Sequence, residues 1–276
     1  MGWHARLRLS LARQEGRSVA RFEHEGPLRI LQTLYPEGDA ICHNVLVHPP
    51  GGLVGGDRLE VDVQVGEGAH GLVTTPAAAR FYRSEHDAAV QHARLSLAAG
   101  GRFEWLPLET LYYSGCRAEN LLDMDLAPGA EVIGWDVAAL GLPASGRPFE
   151  AGSVLQQLAL GDVWLERGRL DAADSRLLDG PVGLAGHRCL ATLWWAAGQA
   201  LPRERREAAL EAAREAIAGH RLAATAGATS PCDQVVVVRV LAPLVEPALD
   251  LLRQLRARWR GVLWNLPAAP SRLWSL

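Results

Sequence analysis

The segment Leu59-Glu60-Val61-Asp62-Val63-Gln64-Val65-Gly66-Glu67-Gly68 decides the fold, because it joins a strand to a tight turn. Apolar residues occupy every second place from Leu59 to Val65, which is the period of a strand buried on one face. Gly66 and Gly68 favour a turn. A second apolar segment, Gly71-Leu72-Val73, follows the turn. The sequence therefore predicts a unit of strand, turn and strand.

This unit recurs along the chain at a spacing of roughly 30 residues. The later turns are Leu97-Ala98-Ala99-Gly100-Gly101, Leu126-Ala127-Pro128-Gly129 and, more weakly, Leu160-Gly161-Asp162. An apolar segment that contains tryptophan follows each of them. The repeat predicts a mainly β protein with a layered or solenoid-like scaffold. A series of ordinary hairpins that share turn chemistry is the alternative.

Two helices are predicted in the C-terminal half. Pro202 stands at a helix start, an apolar stripe of alanines follows, and Gly219 is a terminator. The second helix follows Pro247 and places leucines and Trp259 at helical spacing. We therefore expect a single domain over residues 1–276, β-rich over 1–200, with helices near 202–219 and 247–263 packed on it.

The C-terminal tail from Pro267 to Trp274 contains two prolines, which favour an extended chain. An extended tail would expose Trp274, and an exposed tryptophan is typical of a docking surface. Trp259, Arg272 and Trp274 are therefore the predicted partner-binding residues.

The composition excludes several classes of protein. The chain contains no lysine, so all 28 basic residues are arginine. A Walker-type phosphate loop and a Schiff-base enzyme both need a lysine amine. Net charge is −3 with the two signs interspersed, which gives no basic surface for nucleic acid. No apolar run reaches the roughly 18 residues of a membrane helix. Without an export signal, the four scattered cysteines are expected to be reduced thiols in a cytoplasmic protein.

The loop from His48 to Asp57 is the most unusual segment, with the sequence His48-Pro49-Pro50-Gly51-Gly52-Leu53-Val54-Gly55-Gly56-Asp57. Its glycines fit neither phosphate-binding spacing, so a tightly folded loop with glycines at positive φ is expected. Asp57 would accept hydrogen bonds from loop amides or present its carboxylate at the loop mouth. A long loop with special geometry is usually functional.

Possible metal ligands gather around this loop: His43, His48, Asp57 and Glu60. In a strand from Ile41 to Val47, Cys42 and His43 point to opposite faces, which excludes a simple Cys–His dyad. The same geometry disfavours a closed tetrahedral zinc site and favours open, transient contacts. Two alternatives stay open. His43 and His48 could be structural residues of the sheet and turn, or His43, His48 and Asp57 could serve a metal-dependent β-fold hydrolase or dioxygenase.

Several motifs together resemble the signature of the urease accessory protein UreD (UreH) family. They are Tyr35-Pro36-Glu37-Gly38, Cys42-His43, the loop from His48 to Asp57, Thr74-Thr75-Pro76, Arg80-Phe81-Tyr82, Phe103-Glu104-Trp105-Leu106, Gly134-Trp135-Asp136, Ala144-Ser145-Gly146-Arg147, Ala191-Thr192-Leu193 and Pro270-Ser271-Arg272-Leu273-Trp274. They span nearly the whole chain. Three segments depart from the family pattern. Arg80 stands where a lysine is expected, Leu108 stands where a glutamine is common, and Cys232-Asp233 replaces a more glycine-rich turn.

The resemblance implies a β-rich urease chaperone that is not an enzyme. Members of the family bind the helical accessory protein UreF, which recruits the GTPase UreG, and the assembly docks on apo-urease to deliver nickel. UreD is thought to provide a passage for the metal. The resemblance thus implies nickel in transit and no tightly bound cofactor. The expected transient nickel contacts are Asp57, Glu60, His43 and His48, with Glu166 as a further candidate.

Overall fold

Strands dominate the computed structural model, which describes residues 2–275. The strands are β1 (His4–Gln14), β2 (Arg17–Glu25), β3 (Arg29–Leu34), β4 (Cys42–Val47), β5 (Arg58–Val65), β6 (His70–Thr74), β7 (Ala79–Phe81), β8 (Ala89–Leu97), β9 (Arg102–Leu106), β10 (Thr110–Tyr112), β11 (Cys116–Leu126), β12 (Glu131–Leu140), β13 (Gly152–Leu160), β14 (Trp164–Asp171), β15 (Cys189–Ala197), β16 (Ala226–Cys232) and β17 (Val235–Ala242). The helices are α1 (Ser175–Asp179), α2 (Arg203–Ala218) and α3 (Val245–Trp264).

The strands form two sheets. The first sheet has the order β14-β13-β11-β8-β5-β1-β2, and the second has the order β16-β17-β15-β12-β9-β6-β4-β3. In the second sheet β10 also pairs with β12, and β7 pairs with β10. The central strands are parallel in both: β1, β5, β8, β11 and β13 in the first sheet, and β4, β6, β9 and β12 in the second. Antiparallel strands complete the ends of each sheet.

The repeated unit of the sequence forms one coil of this arrangement. The chain passes from a strand of the first sheet through a glycine turn into a strand of the second sheet, as β5–β6, β8–β9 and β11–β12. The turn glycines Gly68, Gly100 and Gly129 all have positive φ, which L side chains rarely adopt. Successive turns stack, and the Gly68 amide donates to the Ala99 carbonyl at 3.2 Å. The solenoid-like prediction is confirmed for these three repeats.

The weak fourth repeat behaves differently. Strands β13 and β14 around Gly161 pair antiparallel within the first sheet. This repeat is therefore the hairpin of the alternative interpretation, and it ends the coil.

The pleat of the first sheet separates two faces. Leu59, Val61, Val63 and Val65 point between the sheets into the larger apolar core, while the residues that alternate with them point outward. Because the parallel strands are in register, equivalent residues line up across the sheet. One inward row runs through Leu59, Gln91, Asn120, Gln156 and Gly168.

Helices α2 and α3 cover the outer face of the second sheet and form the second apolar core. Helix α2 matches the prediction within one residue at each end, with Pro202 before it and Gly219 after it. Helix α3 begins at Val245, two residues before the predicted start. The short helix α1 was not predicted. None of the helices in residues 2–275 is long and apolar enough to cross a membrane.

A buried ionic network joins α3 to the second sheet. Glu104 of β9 is fully buried and accepts a hydrogen bond from Arg256 Nε at 2.7 Å and one from Arg260. Arg260 also contacts Glu37, which pairs with His43 at 2.8 Å. Burial alone would raise the pKa of Glu104, but the charge of Arg256, the contact with His70 and the charge of Arg260 lower it to about 2. The carboxylate is therefore ionised and compensated.

The tail after α3 turns back onto the protein. Asn265 adopts a left-handed conformation (φ 53°) at the end of the helix, and the carbonyls of Pro267 and Ala268 accept hydrogen bonds from Arg260 and Arg256. Trp274 is consequently 7% exposed, and its ring centroid lies 5.0 Å from that of Trp135. The prediction of an exposed Trp274 is wrong. The two prolines favour an extended tail, but hydrogen bonds from the buried Arg256 and Arg260 hold this tail against the protein.

Candidate functional site

The loop from His48 to Asp57 is folded tightly against β7. The amide of Leu53 donates to the Arg80 carbonyl at 2.7 Å, and the Tyr82 amide donates to the Leu53 carbonyl at 2.8 Å. Gly51 has positive φ, as predicted (φ 77°). Gly52 is needed for a different reason, since a Cβ there would lie 2.2 Å from the Tyr82 ring. The loop is thus a rigid element of the fold.

Asp57 satisfies backbone amides. One carboxylate oxygen accepts from the Trp3 amide at 2.8 Å, and the other accepts from the Val54 amide at 2.8 Å. The first of the two predicted roles, hydrogen bonding to loop amides, is therefore the one observed. Asp57 ties the N-terminal segment to the end of the loop.

His48 lines a pocket of about 290 Å³, here called the outer pocket. Its walls are mainly apolar and include Leu59 and Val61 from the first sheet and Ala79 and Arg80 from β7. Burial lowers the pKa of His48, and the charge of Asp57 partly opposes this effect. The imidazole is therefore neutral near pH 7, which is the form that binds metal ions.

The other predicted ligands lie elsewhere. His43 pairs in register with Leu72, on the face of the second sheet that α2 and α3 cover, and contacts Glu37. Glu60 lies on the outward face of the first sheet, where hydrogen bonds from Arg6 and His4 lower its pKa to about 2. Within residues 2–275 no three His, Cys, Asp or Glu side chains are grouped to hold a metal ion. The hydrolase or dioxygenase alternative therefore lacks its converging ligands.

The three predicted partner-binding residues differ in their exposure. Trp259 is fully buried, and its indole donates to the Ala209 carbonyl at 2.9 Å, which joins α3 to α2. Trp274 is buried as described above. Arg272 alone of the three is exposed.

A polar cavity of about 130 Å³ lies between the two sheets, here called the inner cavity. The first sheet contributes the inward row of amides, Gln91, Asn120 and Gln156. The second sheet contributes Asp136 and Thr192. Polar side chains occupy positions here that hold leucine or valine elsewhere in the core, and such departures make the cavity a candidate functional site.

Asp136 is the centre of this cavity. Asn120 Nδ2 donates to one of its oxygens at 2.9 Å, and Gln156 Nε2 donates to the other at 2.8 Å. Burial raises the pKa of Asp136 to about 6, against the lowering effects of the Asn120 bond, the charge of Arg239 and the Gln156 bond. The carboxyl therefore gains and loses its proton near physiological pH.

The far end of the inner cavity is formed by Glu166 and Arg239. These two side chains form an ion pair, and each is about one third or more exposed (42% and 33%). Burial lowers the pKa of Arg239 to about 10. Of the candidates from the sequence, Glu166 is the one that lines this cavity.

Trp194 forms part of the cavity wall with a buried indole N–H that has no hydrogen-bond partner in the described chain. Its ring packs against Gly134 of the neighbouring strand, where a Cβ would lie 2.3 Å from Trp194 Cζ2. Gly134 therefore sets the position of the indole.

Sequence reasoning missed Asp136, Asn120 and Gln156 as site residues. A signal was present, because Asn120 shares the parity of the buried Ala118 and Leu122 in β11. Asp136 likewise interrupts the apolar strand β12. Periodicity shows such interruptions, but it does not show which strands face one another.

The fold and the inner cavity define a two-sheet β scaffold with the carboxyl groups of Asp136 and Glu166 in a cavity between the sheets. Comparison with known proteins gives the class: residues 4–275 match the family described as "UreD urease accessory protein". A urease accessory protein UreD of Variovorax paradoxus is 60% identical over 275 residues, and one of Paracidovorax citrulli is 62% identical over 276 residues. Both alignments cover 100% of each chain.

The chain therefore belongs to the UreD family of urease accessory proteins. The family assignment from the sequence motifs is confirmed, and it supports a role in urease maturation.

Proposed function

We propose that this protein is a urease maturation chaperone that passes nickel through the space between its two sheets. It acts in the cytoplasm as a scaffold that binds apo-urease and UreF and, through UreF, the GTPase UreG. It holds no tightly bound cofactor and is not an enzyme. Its relatives carry the name of accessory proteins, which supports a role other than catalysis.

The observation that carries the proposal is the carboxyl group of Asp136 inside the inner cavity. Nickel accepts oxygen and imidazole donors. Asp136 and Glu166 offer oxygen donors one after the other, and the amides of Asn120 and Gln156 orient the first of them. Single donors spaced along a cavity bind an ion weakly enough to release it, whereas a closed site of four ligands would retain it.

The lysine-free composition supports the division of labour with a GTPase. A Walker-type phosphate loop requires a lysine, so nucleotide hydrolysis belongs to a partner. For partner binding, Arg272 on the surface of the tail is the remaining candidate, since Trp259 and Trp274 are buried.

The test is co-expression of apo-urease and its accessory proteins with this chain, without it, or with Asp136→Asn. Nickel bound to urease and urea hydrolysis are measured, and assembly of the complex is followed by size-exclusion chromatography. We expect loss of nickel loading without the chain and slower loading with Asp136→Asn in an intact complex. Asp125→Asn is the matched control, because Asp125 is an exposed residue of β11. Normal nickel loading without the chain would refute the proposal.

A further inference from the structure

The inner cavity and the outer pocket have one wall residue in common, Gln91 of β8. On one side of Gln91 in the inward row is Leu59, which lines the outer pocket. On the other side is Asn120, which lines the inner cavity. Gln91 therefore stands at the boundary where the wall changes from apolar to polar.

One hydrogen bond orients the side-chain amide of Gln91. Its Nε2 donates to Asn120 Oδ1 at 3.3 Å, and Asn120 in turn donates to Asp136 at 2.9 Å. This chain of hydrogen bonds fixes the amide group and leaves the Gln91 oxygen as an acceptor without a protein donor among the described residues. An oriented neutral oxygen is a weak ligand for a divalent cation.

The donors change in an ordered way along this line. The outer pocket offers the imidazole of His48, the boundary offers the amide oxygen of Gln91, and the inner cavity offers the carboxyl of Asp136. The wall of the outer pocket beside His48 is mainly apolar and includes Leu59 and Val61 of the first sheet. Gln91 is the first polar side chain of the inward row after Leu59.

We propose that Gln91 stands at the junction between the outer pocket and the inner cavity, and that its side-chain oxygen is the ligand that transfers a divalent cation between them. This inference rests on the proposed function and adds to it the junction of the two cavities and the donor at that junction.

The test compares two substitutions of similar size in the full chain, assembled with its accessory partners and apo-urease. Gln91→Met keeps the length of the side chain and removes the oxygen, whereas Gln91→Glu keeps an oxygen donor. The initial rate of Ni²⁺ incorporation into urease is measured by metal analysis, and the amount of complex by size-exclusion chromatography. Gln64→Met, at an exposed glutamine of the adjacent strand β5, is the matched control.

We expect Gln91→Met to slow incorporation about tenfold, the scale of one lost contact to a charged group, while Gln91→Glu stays within about twofold of the wild type and Gln64→Met is unchanged. Equal rates for Gln91→Met and the wild type, with Asp136→Asn still slow, would overturn the role of Gln91 and leave the passage standing. Equal slowing by Gln91→Met and Gln91→Glu would overturn the donor role. Normal rates for all three cavity variants would overturn the passage itself.

Discussion

Glu104 gives the sharpest test of what holds the helices on the sheet. Replacing Glu104 with glutamine removes the charge that compensates Arg256 and Arg260, which are 1% and 0% exposed. The pKa of Glu104 is lowered from 4.5 to about 2. A shift of that size corresponds to about 3 kcal/mol of folding free energy, at about 1.4 kcal/mol per pKa unit. Loss of one partner of a buried ion pair independently costs about 3–5 kcal/mol.

The sign of the pH dependence follows from the direction of the shift. A carboxyl whose pKa is lowered in the folded state stabilises that state fully above its unfolded pKa, and the stabilisation is lost as the pH falls through the folded pKa. The difference in unfolding free energy between wild type and Glu104→Gln should therefore be constant from about pH 7 to 8, above the range in which the neighbouring His70 titrates. It should shrink as the pH falls below 4.5 towards 2.

The assay is urea unfolding followed by the fluorescence of the tryptophans, two of which, Trp259 and Trp264, lie in α3. Glu211→Gln, at an exposed position of α2, is the control and should change stability by less than about 0.5 kcal/mol. A loss of less than about 1 kcal/mol for Glu104→Gln would refute the reasoning, because an uncompensated pair of buried guanidiniums costs more than that.

A double substitution separates charge compensation from packing. Glu104→Leu with Arg256→Met removes both partners of one pair and leaves Arg260 with Glu37. Replacing a buried pair with apolar residues is often neutral, so the double variant should be more stable than Glu104→Leu alone by at least about 1 kcal/mol. Additive losses would show that packing, and not charge, determines the stability of this region.

Three further predictions concern the cavity and the tail. The raised pKa of Asp136 means that the wild type loses stability as the pH rises from 4 through about 6, so the advantage of Asp136→Asn in urea unfolding should grow over that range by up to about 3 kcal/mol. Gly134→Ala should push the Trp194 indole, lower the melting temperature and slow nickel loading, whereas Gly227→Ala, with open space around it, should do neither. Trp274→Ala should cost about 3–5 kcal/mol in the same unfolding assay, since the indole is buried and hydrogen-bonded.

Much of the scaffold could be predicted because its signals are local. The alternation from Leu59 to Val65 identifies a strand with one buried face, and the glycine turns recur once in each coil. The fourth turn, at Gly161, fits the repeat less well than the other three, and it is the one that forms a hairpin. Helix α2 was predicted from Pro202 and Gly219, which are local end signals as well.

The site was harder to predict because it depends on contacts between distant segments. Asp136 becomes part of a cavity only when β12 of one sheet faces β11 and β13 of the other. Arg256 and Arg260 of α3 compensate a glutamate more than 150 residues away, and no local pattern shows that pairing. Proximity in sequence suggested His43, His48 and Asp57 as a group, but the sheet pleat and the loop amides separate them.

The network around Glu104 also bears on how the chain folds during synthesis. Glu104 leaves the ribosome 152 residues before Arg256. Until α3 is made, the second sheet has the Glu104 carboxylate without its arginines and an apolar face that α3 does not yet cover. Contacts between residues so far apart in sequence form late in folding. Until they form, the incomplete chain is prone to aggregation. The protein that assists the maturation of urease is therefore itself expected to complete its fold only after the last residues are synthesised, and a ribosome stalled before Val245 should carry a chain that is sensitive to proteases.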